Sequence, residues 1–108
     1  MITVRAEHLC AVLPAAHPLA RLKRIPVSAL RDEPFVLGNM EAWMPYRAIV
    51  DRVCQEAGFA PKVVQEAFSS DGIFGLVAAG LGVTVYVEGA RSYRPRGVAV
   101  RAVQECRR

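Results

Sequence analysis

The sequence predicts an α/β fold, a three-layer sandwich built on a mostly parallel sheet. Short apolar and β-branched runs alternate along the chain with stretches of helical period. Glycine or proline punctuates most junctions between them. Of 108 residues, 53% are hydrophobic and 22% charged, the balance of a chain that folds around a core. That length suffices for one modest core, burying roughly two thirds of the unfolded surface.

The first strand is expected over residues 9–13 (LCAVL), an apolar run stopped by Pro14. Residues 14–26 (PAAHPLARLKRIP) form a proline-rich loop with one helical turn at 19–24, and 26–30 (PVSAL) a short helix opened by proline. A second strand follows at 34–37 (PFVL), then a loop over 38–44. Pro45 opens the strongest helix. Its apolar residues Tyr46, Ile49, Val50, Val53, Cys54 and Ala57 are spaced 3, 1, 3, 1, 3, one face of a 3.6-residue repeat. Gly58 stands where a left-handed residue ends a helix, and Pro61 blocks continuation.

Residues 62–67 (KVVQEA) make a third strand. Ser69 or Ser70 caps a second helix, with Asp71 favourable in its first turn, running to Ala79 and ending at Gly80. Residues 82–87 (GVTVYV) are a fourth strand, 89–96 a Pro/Arg loop and 98–103 (VAVRAV) a fifth strand. Strands separated by helices imply parallel neighbours joined by right-handed crossovers. The chain starts close to a strand and stops just beyond one, and so reads as part of a larger unit.

No apolar run reaches the ~18 residues of a membrane helix, and Arg5, Glu7 and His8 interrupt the start before a signal peptide can develop. The expectation is a cytoplasmic chain with no membrane partner. The three cysteines, Cys10, Cys54 and Cys106, show no metal-ligand spacing, and Cys10 and Cys54 fall where small hydrophobes pack. Neither a metal nor a cofactor is expected. The net charge is +4, with Arg91, Arg94, Arg96, Arg101, Arg107 and Arg108 late in the chain. Without aromatic interleaving or a recognition helix they read as a solvated basic edge and not as a DNA site within this chain.

The usual signs of catalysis are missing: there is no G-x-S-x-G, H-E-x-x-H or G-x-x-x-x-G-K-[ST]. Gly80 and Gly82 follow a helix and precede a strand, the reverse of a dinucleotide-binding turn. His8 and His17 read as surface or loop residues, and nothing in the spacing supports a Ser70/His17/Asp71 triad. The chain is therefore not expected to be an enzyme. A binding site is the remaining chemistry. Two helix N-termini, at Pro45 and Ser70, follow strands, and such ends offer N–H groups and partial positive charge to an anion. Ser69 and Ser70 add hydroxyls and Arg47 a cation. Asn39, Trp43, Met44 and Tyr46 add the mixed polar and apolar wall of a small-molecule pocket. On residue chemistry alone, capping and core cover explain these side chains equally well.

Four blocks in order, VLPAAHPLA (12–20), DEPFVLG (32–38), CQEAGFAPKVVQEA (54–67) and GLVAAGLGVTVYV (75–87), resemble the effector-binding domain of LysR-type transcriptional regulators. The resemblance implies a type II periplasmic-binding-protein-like fold of two α/β lobes joined by two crossing strands. It also implies that an effector binds between the lobes, that a helix-turn-helix at the N-terminus binds DNA, and that the full-length protein is a homo-oligomer, dimer or tetramer; with the helix N-termini above, the expected effector is a small, anionic metabolite. This chain corresponds to the second lobe alone, residues 1–108 as a single unit, with crossing strands near 9–13 and 98–103; the DNA-binding domain has no counterpart in it. Carried over position by position, the cleft contacts are Met44, Pro45 and Tyr46, with Trp43 and Asn39 nearby, and Ser69 and Ser70. Val87 stands where the family commonly has proline. Trp43 and Arg52 occupy the region where peroxide-sensing members carry a cysteine pair, so that switch is not expected. The alternatives are one lobe of a solute-binding protein, and a module whose main role is assembly.

Overall fold

The computed structural model describes residues 9–87 and 96–104. The strands are β1 (Leu9–Pro14), β2 (Arg24–Pro26), β3 (Pro34–Gly38), β4 (Lys62–Ala67), β5 (Thr84–Val87) and β6 (Val98–Gln104). The helices are α1 (Met40–Glu56) and α2 (Ser70–Ala78), with short 3-10 turns at Pro18–Arg21 and Val27–Leu30. Four strands pair in the order β2-β6-β1-β5, and β3 pairs with β4. The two groups meet at Val83: Val36 N–H donates to its carbonyl and its own N–H donates to Pro34, both at 2.8 Å.

Helices cover both faces, and the strand alternation sorts the core. Leu9, Ala11, Leu13, Phe35, Leu37, Val83 and Val85 point to one side, where α1 adds Val50, Val53 and Cys54. Cys10, Val12 and Val36 point to the other, where α2 adds Ile73, Phe74 and Val77. This is the expected three-layer sandwich, held by burial on two faces of one sheet.

The sheet is mostly parallel, as expected, with β1 as the exception: the Phe35–Val83 bridge is also parallel, so the other five strands run one way. β1 runs antiparallel to both β5 and β6, whereas β2–β6 and β3–β4 are parallel. Parallel pairing follows from a helical crossover, and the helices here connect only β3 to β4 and β4 to β5. Among the described residues no α-helical crossover of that kind constrains β1.

Two boundaries also differ. α1 starts at Met40, with Asn39 as its N-cap, inside the stretch expected as loop. Trp43 (φ −118°, ψ 19°) interrupts it, so the regular part resumes at Pro45, where the helical spacing put the start. β2 was not expected, because three residues leave no periodicity to detect. Both expected glycine stops hold: Gly58 and Gly80 have φ of +94° and +88°.

His17 is more than a loop residue. Its Nδ1 accepts from Leu19 N–H at 3.0 Å, capping the first 3-10 turn, and its Nε2 lies 2.8 Å from Glu33. Of the late arginines, Arg101 gives its Nε–H to the Ala20 carbonyl (2.8 Å), an interior brace and not a free basic edge. Arg91, Arg94, Arg107 and Arg108, like Cys106 and His8, lie outside the described residues.

Cys10 and Cys54 are buried, as expected. Burial, with Asp51 second, pushes the Cys54 thiol up to about 12. A raised value means the folded state holds the proton more tightly than the unfolded state does. The stabilisation is complete below the unfolded thiol's range and is lost as pH rises from about 9 toward 12, at roughly 1.4 kcal/mol per pH unit. Denaturation at pH 8 and pH 10 (values about half a unit either side would serve) should show this loss, and Cys54→Ala should reduce it. Rapid labelling of Cys54 by a thiol reagent in the folded chain would contradict the burial.

Candidate functional site

The site is built where β3 and β4 hand over to α1 and α2. β3 ends at Gly38, and Asn39 N–H donates to the Ala67 carbonyl at 3.0 Å, so the two strand ends are fastened side by side. Arg47 reinforces them. Its Nη1 donates to the Gly38 carbonyl (3.2 Å) and to Glu66 Oε2 (2.6 Å). The expectation that Arg47 serves as a cation for a ligand is therefore corrected: its charge is already neutralised by Glu66, which lies on β4 and closes an ion pair that sequence spacing does not show.

Trp43 spans the two helix starts. Its ring lies so close over Gly38 that a Cβ there would sit 2.2 Å from the indole Cγ. Its Nε1–H donates to the Phe68 carbonyl at 3.2 Å, in the loop before α2. Tyr46 packs beside it, with ring centroids 5.5 Å apart. The Tyr46 hydroxyl lies 3.5 Å from the Thr84 hydroxyl, and burial holds the phenol protonated well beyond the usual tyrosine range.

Tyr86 is the residue that sequence reasoning missed. From β5 it packs against Tyr46 (5.5 Å), Trp43 (6.1 Å) and Phe74 (5.1 Å), and its hydroxyl hydrogen-bonds Ser70 Oγ. The available signal was its two-residue spacing from Thr84, which puts two hydroxyl-bearing side chains on one face of an otherwise aliphatic strand. The fold thus draws Trp43, Tyr46, Ser70 and Tyr86 into one connected group.

The other expected residues divide. Ser69 is the N-cap of α2, its Oγ accepting from Gly72 N–H at 3.0 Å. Ser69→Ala should cost about 1 kcal/mol of stability in urea unfolding; no change would mean the cap contributes nothing. Met44 (58% exposed) and Pro45 lie at the break in α1 on the outer rim. Asn39 is half-buried and makes no side-chain capping bond; its Oδ1 and Arg47 Nε are buried without hydrogen-bond partners.

The first turns of α1 and α2 present backbone N–H groups and the positive ends of two helix dipoles, beside a wall of three aromatic rings. That suits an anion with an apolar body. The drawn triad does not form, since His17 is bound to Glu33 and Ser70 to Tyr86. Among the described residues no cluster of His, Cys, Asp or Glu could hold a metal, and no helix is long and apolar enough to cross a membrane.

Comparison with known proteins agrees with this architecture. The LysR substrate binding domain family matches residues 2–107. The HTH-type transcriptional regulator AlsR of Bacillus subtilis (strain 168) is 36% identical over 89 residues, covering 82% of this chain and 30% of AlsR. The transcriptional dual regulator GltC of the same organism is 42% identical over 82 residues, covering 76% of this chain and 27% of GltC. The chain therefore spans less than a third of these regulators. Among solved structures, the Synechocystis PCC6803 CcmR regulatory domain in complex with 2-PG superposes with a TM-score of 0.74 at 25% identity, covering 90% of this chain and 47% of that one.

Proposed function

Because this chain belongs to the LysR substrate-binding domain family, we propose that it is the effector-sensing part of a bacterial LysR-type transcription regulator, taking a small anionic metabolite at the paired starts of α1 and α2. The observation that carries this reading is the convergence of two helix N-termini: Trp43 ties the start of α1 to the loop before α2 through the Phe68 carbonyl, and Tyr86 holds Ser70 to β5. Tyr46, Ser69, Ser70 and nearby backbone N–H groups are the contacts, with Asn39, Trp43, Met44 and Pro45 around them. The matched family, whose relatives are transcriptional regulators, favours this over a solute-binding protein or an enzyme.

The chain matches about half of the CcmR domain, 47%, which supports a two-lobe arrangement. Residues 1–108 are then one lobe, with crossing strands near 9–13 and 98–103, and a second lobe supplies the opposite wall. Effector binding between the lobes favours a closed arrangement over an open one, and the full regulator passes that bias on to DNA binding. DNA is contacted through an N-terminal helix-turn-helix domain, in a cytoplasmic homo-oligomer, dimer or tetramer.

The test is a thermal-shift screen of small carboxylates on the full-length regulator carrying this chain. Any carboxylate that binds should lose about threefold to tenfold in affinity in Ser70→Ala and in Tyr46→Phe, the worth of one hydrogen bond. Unchanged affinity in both variants would place the effector elsewhere.

An assembly role is favoured by one observation: among the described residues β4 pairs on one side, with β3, and leaves Val64 55% exposed. Sedimentation separates the readings, because a chain that stays monomeric at high concentration does not assemble through this edge.

A further inference from the structure

We propose that residues 40–44 form a hinged turn, latched by the Trp43 indole to the loop before α2 and able to move as a unit against the rest of α1. The inference rests on backbone geometry and does not depend on an effector binding there.

Two breaks bound the turn. At its far end Trp43 leaves helical values, at φ −118° and ψ 19°. Pro45, two residues on, has no N–H, so the Glu41 carbonyl loses its helical partner. At its near end Asn39 makes no side-chain capping bond. The turn opens with Trp43 N–H donating to the Asn39 carbonyl at 3.0 Å.

Anchoring is unequal on the two sides of the break. Beyond it, Val50, Val53 and Cys54 are fixed in the core at 0%, 7% and 1% exposure. Within the turn, Met40 and Met44 are 48% and 58% exposed. The turn is tied to other elements through Trp43, whose Nε1–H donates to the Phe68 carbonyl and whose ring lies against Gly38 of β3 and Tyr86 of β5. Gly38 makes the latch possible, since any Cβ there would occupy the indole's place. Releasing the latch changes the gap between the two helix starts while leaving the core undisturbed. Trp43 is a positioning residue in this device, acting through the turn it holds.

Amide hydrogen exchange on this 108-residue chain tests the proposal. In the wild type, the Trp43 amide should exchange at least about tenfold faster than those of Val50 and Val53. Trp43→Phe keeps a ring and removes the donor; it should speed exchange at 43 and 44 by about another tenfold and leave 50–54 unchanged. Pro45→Ala restores the missing N–H and should bring Trp43 within about threefold of Val50. Equal protection at Trp43 and Val50 in the wild type overturns the hinge. So does an acceleration in Trp43→Phe that spreads evenly along α1. Should Trp43→Phe fail to fold, the wild type and Pro45→Ala decide.

Discussion

Phe35→Ala is expected to cost about 3–5 kcal/mol, measured as the loss of unfolding free energy in urea. Phe35 is fully buried on β3 and is the bulkiest of the side chains with no exposure. It packs in the larger core cluster beside Leu37, Val50 and Val83, where β3, α1 and the approach to β5 meet. Removing its ring leaves a cavity bordered by strands that cannot collapse independently, so both transfer and cavity terms apply. Against a typical domain stability of about 5–15 kcal/mol this is a large fraction. Phe68 supplies the contrast within the same chain. It is 83% exposed, so Phe68→Ala should stay within about 0.5 kcal/mol of wild type. Similar costs at both positions would refute the packing described.

Gly82→Ala should cost about 2–3 kcal/mol or more, because the added methyl meets backbone and not a movable side chain. A Cβ at Gly82 would lie 2.6 Å from the Pro34 carbonyl oxygen and 3.1 Å from its carbon. Those atoms are backbone, and the same carbonyl accepts the Val83 N–H that joins β3 to the β5 approach. The clash can be relieved only by parting the two groups of strands. Gly75→Ala is the internal control. A Cβ there meets nothing within 4 Å, and in the middle of α2 the change should stabilise by about 0.5–1 kcal/mol. Opposite signs at the two glycines, read in parallel unfolding curves, are the expected result. Unchanged stability in Gly82→Ala would mean that the strand junction at Val83 is not as tight as described, and destabilisation by Gly75→Ala would mean that the open space at Gly75 is not there.

The parts of this fold written in local chemistry were legible from the sequence. Ser69 announces the start of α2 because a hydroxyl at an N-cap satisfies an N–H three residues on. The spacing from Tyr46 to Ala57 announces the buried face of α1, and Gly58 and Gly80 announce the ends of the helices. The resemblance blocks named the family for the same reason: they are scaffold segments, in which packing restricts the choice of residue. What stayed hidden depends on residues far apart in sequence. Glu66 neutralises Arg47 across 19 positions, and Tyr86 meets Ser70 across 16. No local pattern carries either pairing. The direction of β1 was hidden because no α-helix among the described residues links it to its sheet neighbours. The early start of α1 was hidden because Pro45, a strong signal for a helix beginning, masks the turn that precedes it.

For the site, the sequence located the two helix starts but not what joins them. Pro45 and Ser70 are separated by 25 positions, and only the folded chain shows Trp43 reaching the Phe68 carbonyl and Tyr86 reaching Ser70. That junction sets two ordinary helix ends side by side, in the place where we propose that an anion binds. It also gives the aromatic residues a role beyond covering the core, since they fix the relative position of the two ends.

The measurement that tests this most directly is a titration of the isotopically labelled chain with a small carboxylate, benzoate, followed by amide chemical shifts. Weak binding is expected, with a dissociation constant of about 1 mM or above, because the proposed site takes its opposite wall from a second lobe. Shift changes confined to residues 39–47, 69–72 and 86 are also expected. Changes centred elsewhere, no change at these amides, or micromolar binding by this chain alone would contradict an anion site shared between this lobe and a second one.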